Sequence, residues 1–98
     1  MTKEQEIMNF LHERVFDPVL NSSDAHPDIK EIKAGVERTI VRMKKRDARG
    51  MVKFYKTAIS GTARSIKFVR LMKDAGFTCF EDVQEEFGSK FNEDWLKQ

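Results

Sequence analysis

Little in this sequence marks a secreted, membrane-spanning or metal-binding protein. There is one cysteine, Cys79, which excludes an intrachain disulfide and fits a reducing compartment. No apolar run approaches the roughly 20 residues needed to span a bilayer. The start, Met1-Thr2-Lys3-Glu4-Gln5-Glu6, is too acidic and polar to read as a signal peptide. His12 and His26 lie far apart, without the spacing of a zinc site. No glycine motif suits phosphate; Gly50, Gly61, Gly76 and Gly88 read as helix punctuation. No segment alternates with period two for long enough to require a strand, and there is no internal repeat. The expectation is a cytoplasmic protein with no membrane partner, no metal and no cofactor. Its 98 residues, 40% apolar, suit a single domain over 1–98 with one modest core.

The most uneven scarcity is of acid. Between Arg38 and Lys73 twelve Lys or Arg stand against one acidic residue, Asp47. The other 62 positions hold six basic and fifteen acidic residues, so the net charge of +2 conceals a basic middle between acidic ends. Such a segregated field attracts a polyanion or matches the acidic surface of a partner, a second copy of the chain included.

Periodicity predicts an all-α fold: a small helical domain of four to five helices, built on one long central helix if the phase of its apolar face reports continuity. Thr2 and Gln5 suit a capping box. Ile7, Leu11 and Val15 then recur every four residues, and Asp17-Pro18 ends this helix or starts a short tail through Leu20. Residues 21–27 form a polar loop. Ile29, Ile32, Val36, Ile40 and Met43 share one helical face, with Arg38, Arg42, Lys45 and Arg49 opposite. Met51, Phe54, Tyr55 and Ala58 stay in phase with the apolar side. That favours one helix from about Asp28 to Ile59, nearly 50 Å long at about 1.5 Å per residue, with a break at Arg49-Gly50 as the alternative. Such an overhang asks for a partner, so a homodimer is expected.

Ser60-Gly61-Thr62 then breaks the run before a helix over Ala63–Ala75, closed by Gly76 as a left-handed cap. Thr78 and Glu81 suggest a second capping box. Phe80, Val83, Phe87, Phe91 and Trp95 continue at helical spacing, interrupted at most by Gly88-Ser89, with Glu81, Asp82, Glu85, Glu86 and Glu93 on the far side. The expected core is Ile32, Val36, Ile40, Met43, Phe68, Leu71, Phe80, Val83 and Phe87.

No catalytic constellation emerges. Asp28, Glu31 and Lys33 superficially resemble a nuclease signature, but that chemistry needs two carboxylates and a lysine converging on a metal-bound water. Here Lys33 is rotated about 160° from Glu31 on one helix, and capping and solvated charge explain the trio better. Cys79 reads as a small packed residue; a place in a helix's first turn keeps a low-pKa nucleophile as the lesser alternative.

The leading expectation is therefore a non-enzymatic protein that binds nucleic acid, DNA or RNA, through a basic helical face. The residues expected to carry it are Arg38, Arg42, Lys45, Arg49, Lys53 and Lys56, with Arg64, Lys67 and Arg70 as a second row. The segments Met51–Ile59, 60–62 and Ala63–Ala75 also have helix-turn-helix lengths, a weak signal. The alternative is an interaction or oligomerisation module whose basic face docks on an acidic protein surface. Phe80, Phe87, Phe91 and Trp95 are expected to pack in the core rather than stack on bases, because their helix is acidic on its other side.

Overall fold

A computed structural model describes residues 1–22, 26–60 and 63–98, without the side chains at 58–60, 63–67 and 80. Every regular element among the described residues is helical. The chain runs through α1 (Lys3–Leu11), a π-helical turn (His12–Phe16), α2 (Asp17–Leu20), α3 (Ile29–Lys44), α4 (Ala48–Ser60), α5 (Ala63–Asp74), α6 (Cys79–Asp82), α7 (Gln84–Lys90) and α8 (Glu93–Leu96).

The first helix begins as expected: Gln5 N–H donates to Thr2 Oγ1 at 3.1 Å, and Thr2 N–H donates to Gln5 Oε1 at 2.8 Å. It does not end at Pro18 but continues as the expected short tail through Leu20. Ile7, Leu11, Val15 and Val19 are all 0% exposed although they recur every four residues. In a regular α-helix that spacing drifts by about 40° per repeat, which would carry Val19 away from the face of Ile7. The π-helical turn, where Asp17 N–H donates to His12 O, takes up the drift. Pro18 follows at the start of α2, where its missing N–H is tolerated.

The long central helix is not formed, and the break is not at Gly50. α3 stops at Lys44, Lys45 caps it, and Arg46 N–H closes the last turn on Met43 O at 2.9 Å. Asp47 then starts α4, its Oδ1 accepting from Gly50 N–H at 2.8 Å. Gly50 lies within the first turn of α4. A straight helix near 50 Å would also exceed the longest dimension of the fold, 44 Å. The apolar phase is kept across 45–47 because both arms face one core: Ile40 and Met43 from α3, Met51, Val52 and Tyr55 from α4.

The C-terminal third matches expectation at Gly76 and departs from it in two respects. Gly76 does adopt a left-handed conformation (φ 88°), and Phe77 N–H reaches back to Met72 O at 2.8 Å, so α5 ends in the cap its glycine suggested. The second capping box is absent: Thr78 Oγ1 donates to Asp82 Oδ2 at 2.7 Å, while Glu81 turns to Lys73 at 3.2 Å. The last helical stretch is divided at Val83 and at Phe91, not at Gly88-Ser89, which lies inside α7. Asn92 caps α8 by accepting from Trp95 N–H at 2.9 Å.

Aromatic packing centres on Phe87, 4.3 Å from Tyr55 and 5.0 Å from Phe91 between ring centroids, with Phe10 and Trp95 at the ends of the cluster. Of the expected core, Ile32, Val36, Ile40, Met43, Val83 and Phe87 are buried, Phe68 and Leu71 are half-buried, and the side chain of Phe80 lies outside the described residues. Phe68 lies so close to Gly35 that any Cβ there would overlap its ring, which fixes how near α5 can lie to α3.

Candidate nucleic-acid interface

The turn at 45–47 converts a basic stripe into a basic corner. On the α3 arm Arg38 and Arg42 are one turn apart, and Lys44, Lys45 and Arg46 follow at the bend. On α4, Arg49, Lys53 and Lys56 are spaced at four and three residues, so they form one stripe opposite the buried Met51 and Tyr55. All eight side chains are exposed. α4 contains no acidic residue. The cations at the C-terminal end of α3 also complement the partial negative charge of its free carbonyls.

Among the described residues only Arg49 of these eight meets a carboxylate, Glu93 of α8, at 2.9 Å. Both members are more than half exposed, at 54% and 63%, so solvent and salt weaken the pair. Glu93 is positioned from a distance. Lys3 Nζ donates to Leu96 O at 2.8 Å and to Gln98 O at 2.6 Å, tying α8 to the start of α1, and Trp95 packs on Phe91.

Arg46 and Lys44 were not among the residues singled out from the sequence. Arg46 places its guanidinium 4.4 Å from the ring centre of Phe54 and donates to Arg42 O, which closes the corner. The consecutive Lys44-Lys45-Arg46 run was the signal for both. Val41, 53% exposed, sits among the cations of the α3 arm. Arg70 is exposed on α5, a separate helix. The side chains of Arg64 and Lys67, and residues 61–62 of the turn expected in a helix-turn-helix, lie outside the described residues.

At its far end the basic surface meets acid. An open cleft of about 640 Å³ has Lys56 and Tyr55 on one side and Glu81, Gln84 and Glu85 on the other. Burial pushes the Tyr55 phenol well above its usual range, and the nearby Cys79 thiol adds to the shift. Cys79 itself is half-buried, its Sγ–H directed at Val15 O at 3.7 Å.

The nuclease-like trio does not converge: Lys33 Nζ donates to Ser22 O at 2.8 Å, while Asp28 N–H donates to His26 Nδ1 at 3.1 Å. Among the described residues no group of three or more His, Cys, Asp or Glu side chains is placed to hold a metal ion, and no helix is long and apolar enough to cross a membrane. No protein-family model, curated protein or solved structure matches this chain.

Proposed function

We propose that the protein is a non-enzymatic nucleic-acid-binding domain and that the α3–α4 corner is its phosphate-contacting surface. One observation carries the reading. Eight exposed cations from Arg38 to Lys56 crowd two helix arms and the bend between them, with Asp47 the one acid in that stretch, and among the described residues only Arg49 of the eight pairs with a carboxylate, Glu93. Two like charges about 6 Å apart repel by roughly 0.7 kcal/mol in water. A surface that keeps so many together with so little counter-charge is complementary to a polyanion.

The assembly alternative draws less support. Three acidic residues of the end that would serve another copy already meet cations of the same chain: Glu93 meets Arg49, Glu81 meets Lys73 and Glu86 meets Arg14. The overhanging helix that motivated a homodimer is absent.

The test is a salt series. With contacts from Arg38, Arg42, Lys45, Arg49, Lys53 and Lys56, the logarithm of affinity for duplex should fall with the logarithm of salt at a slope of about −5, because each neutralised phosphate releases condensed counterions. Changing Arg42, Lys45 and Arg49 together to Glu should abolish binding with the helical circular dichroism unchanged, since all three are exposed. A wild-type protein that binds no nucleic acid even at about 50 mM salt, where such contacts are strong, refutes the reading. Loss of an oligomer in the triple variant would promote the assembly alternative instead.

A further inference from the structure

We infer that the nucleic acid is double-stranded DNA and that α4 enters its major groove, with the end of α3 on the flanking backbone. The inference rests on the corner being a nucleic-acid surface, and goes further by naming the duplex and the groove.

Three features of the corner lead there. The two arms carry cations at the same four-residue spacing, Arg38 and Arg42 on α3 and Arg49 and Lys53 on α4, with Lys45 in the bend and Lys56 a turn further along α4. A three-residue bend separates them. That is the layout in which one helix crosses the sugar-phosphate backbone and the next lies in the groove with its first turns toward the bases. α4 is 13 residues long, about 20 Å, and a helix of 10–12 Å diameter matches a groove about 12 Å wide.

The exposed stripe of α4 is also chemically suited. Arg49 and Lys53 can only donate hydrogen bonds, and the acceptors most available in the major groove are guanine O6 and N7. A carboxylate anywhere on α4 would oppose entry between two phosphate rows, and there is none.

The aromatic residues among those described disfavour the single-stranded alternative. Sequence-tolerant binding of single strands uses exposed rings as stacking platforms. Among the described residues no aromatic side chain is exposed. Tyr55 faces the core, and Phe54, the ring nearest the corner cations, is covered by Arg46. A-form RNA is disfavoured on shape, because its major groove is too deep and narrow for a helix.

The experiment compares four probes of one length at one ionic strength: duplex DNA, the same duplex with glucosylated hydroxymethylcytosines that fill the major groove, duplex RNA and single-stranded DNA. Plain duplex should bind at least about tenfold tighter than the other three, given that one good base-edge contact is worth roughly 1–3 kcal/mol. Netropsin, which occupies the minor groove, should change the affinity less than about twofold. Lys53→Ala should shrink the gap between plain and glucosylated duplex, whereas Arg38→Ala should weaken both equally. Both residues are exposed, so neither change threatens folding. Equal affinity for all four probes, or preference for single strands or RNA, overturns groove entry while leaving the phosphate-contacting corner standing. Absence of binding to every probe removes both.

Discussion

The Arg49–Glu93 pair permits a gain-of-function test, which is harder to produce by accident than a loss. If Arg49 contacts phosphate, it must first leave Glu93, and the carboxylate then remains beside the bound strand. The geometry sets the size of both costs. The two side chains meet at 2.9 and 3.0 Å yet are each more than half exposed. Such a pair is worth about 0–1 kcal/mol, and a value near the middle is reasonable for two contacts from one guanidinium nitrogen. A carboxylate about 7 Å from a phosphate adds repulsion of roughly 0.6 kcal/mol in water, cut by more than half at physiological salt, where the Debye length is about 8 Å. Glu93→Gln removes both and keeps the shape of the side chain. Affinity should rise about two- to fivefold, which corresponds to roughly 0.5–1 kcal/mol. Fluorescence anisotropy of a labelled duplex at fixed salt reads it directly, and the thermal midpoint should barely move. Repeating the change in an Arg49→Ala background should leave only the smaller, through-space part. Unchanged or weaker binding by Glu93→Gln would mean that Arg49 stays with its partner or lies off the contact surface.

Other expectations concern the core and the corner. Phe87→Ala should cost about 3–5 kcal/mol, because the ring is 1% exposed and touches Tyr55, Phe10 and Phe91. A melting temperature within a few degrees of wild type would refute that packing. Tyr55 has its folded pKa raised by burial, so above the unfolded value near 10 the unfolded chain releases a proton that the folded chain keeps. Stability from this group is complete below pH 10 and falls by up to about 1.4 kcal/mol per pH unit above it. Wild type should lose stability faster than Tyr55→Phe when urea unfolding is repeated from pH 9 upward, and parallel curves would contradict a buried phenol. Asp47→Ala should cost about 0.5–2 kcal/mol through loss of the α4 cap. Asp47→Asn should keep stability close to wild type and tighten nucleic-acid binding about twofold by removing the one acid in the basic segment; weaker binding would count against a polyanion partner.

The helical class and most of the core were legible because apolar spacing reports which face is buried. It does not report whether two buried faces belong to one helix. Ile40, Met43, Met51 and Tyr55 share a phase since they share a core, and the bend between them depends on Asp47 reaching the Gly50 amide, a local choice that burial periodicity cannot reveal. The Thr78-Glu81 spacing failed for a related reason: a capping box competes with other partners, and Asp82 and Lys73 were nearer. The cations of the corner were visible as composition, but their division between two arms was not. Glu93, the residue that answers Arg49, is 44 positions away and carries no local signal.

The π-helical turn at His12–Phe16 has a consequence for how this segment tolerates change in length. It amounts to one residue more than an ordinary helix needs over the same path. Deleting any one residue there would leave a helix with complete hydrogen bonding and nothing locally wrong. It would also keep everything beyond in register: eleven regular steps from Ile7 to Val19 turn through about 1,100°, so Val19 would still face the core. The first helix therefore carries one spare residue, which it can lose without losing its fit to the core. Substitutions across 12–14, where no side chain is fully buried, and a single deletion there should be absorbed, while a single insertion would rotate everything beyond by about 100°.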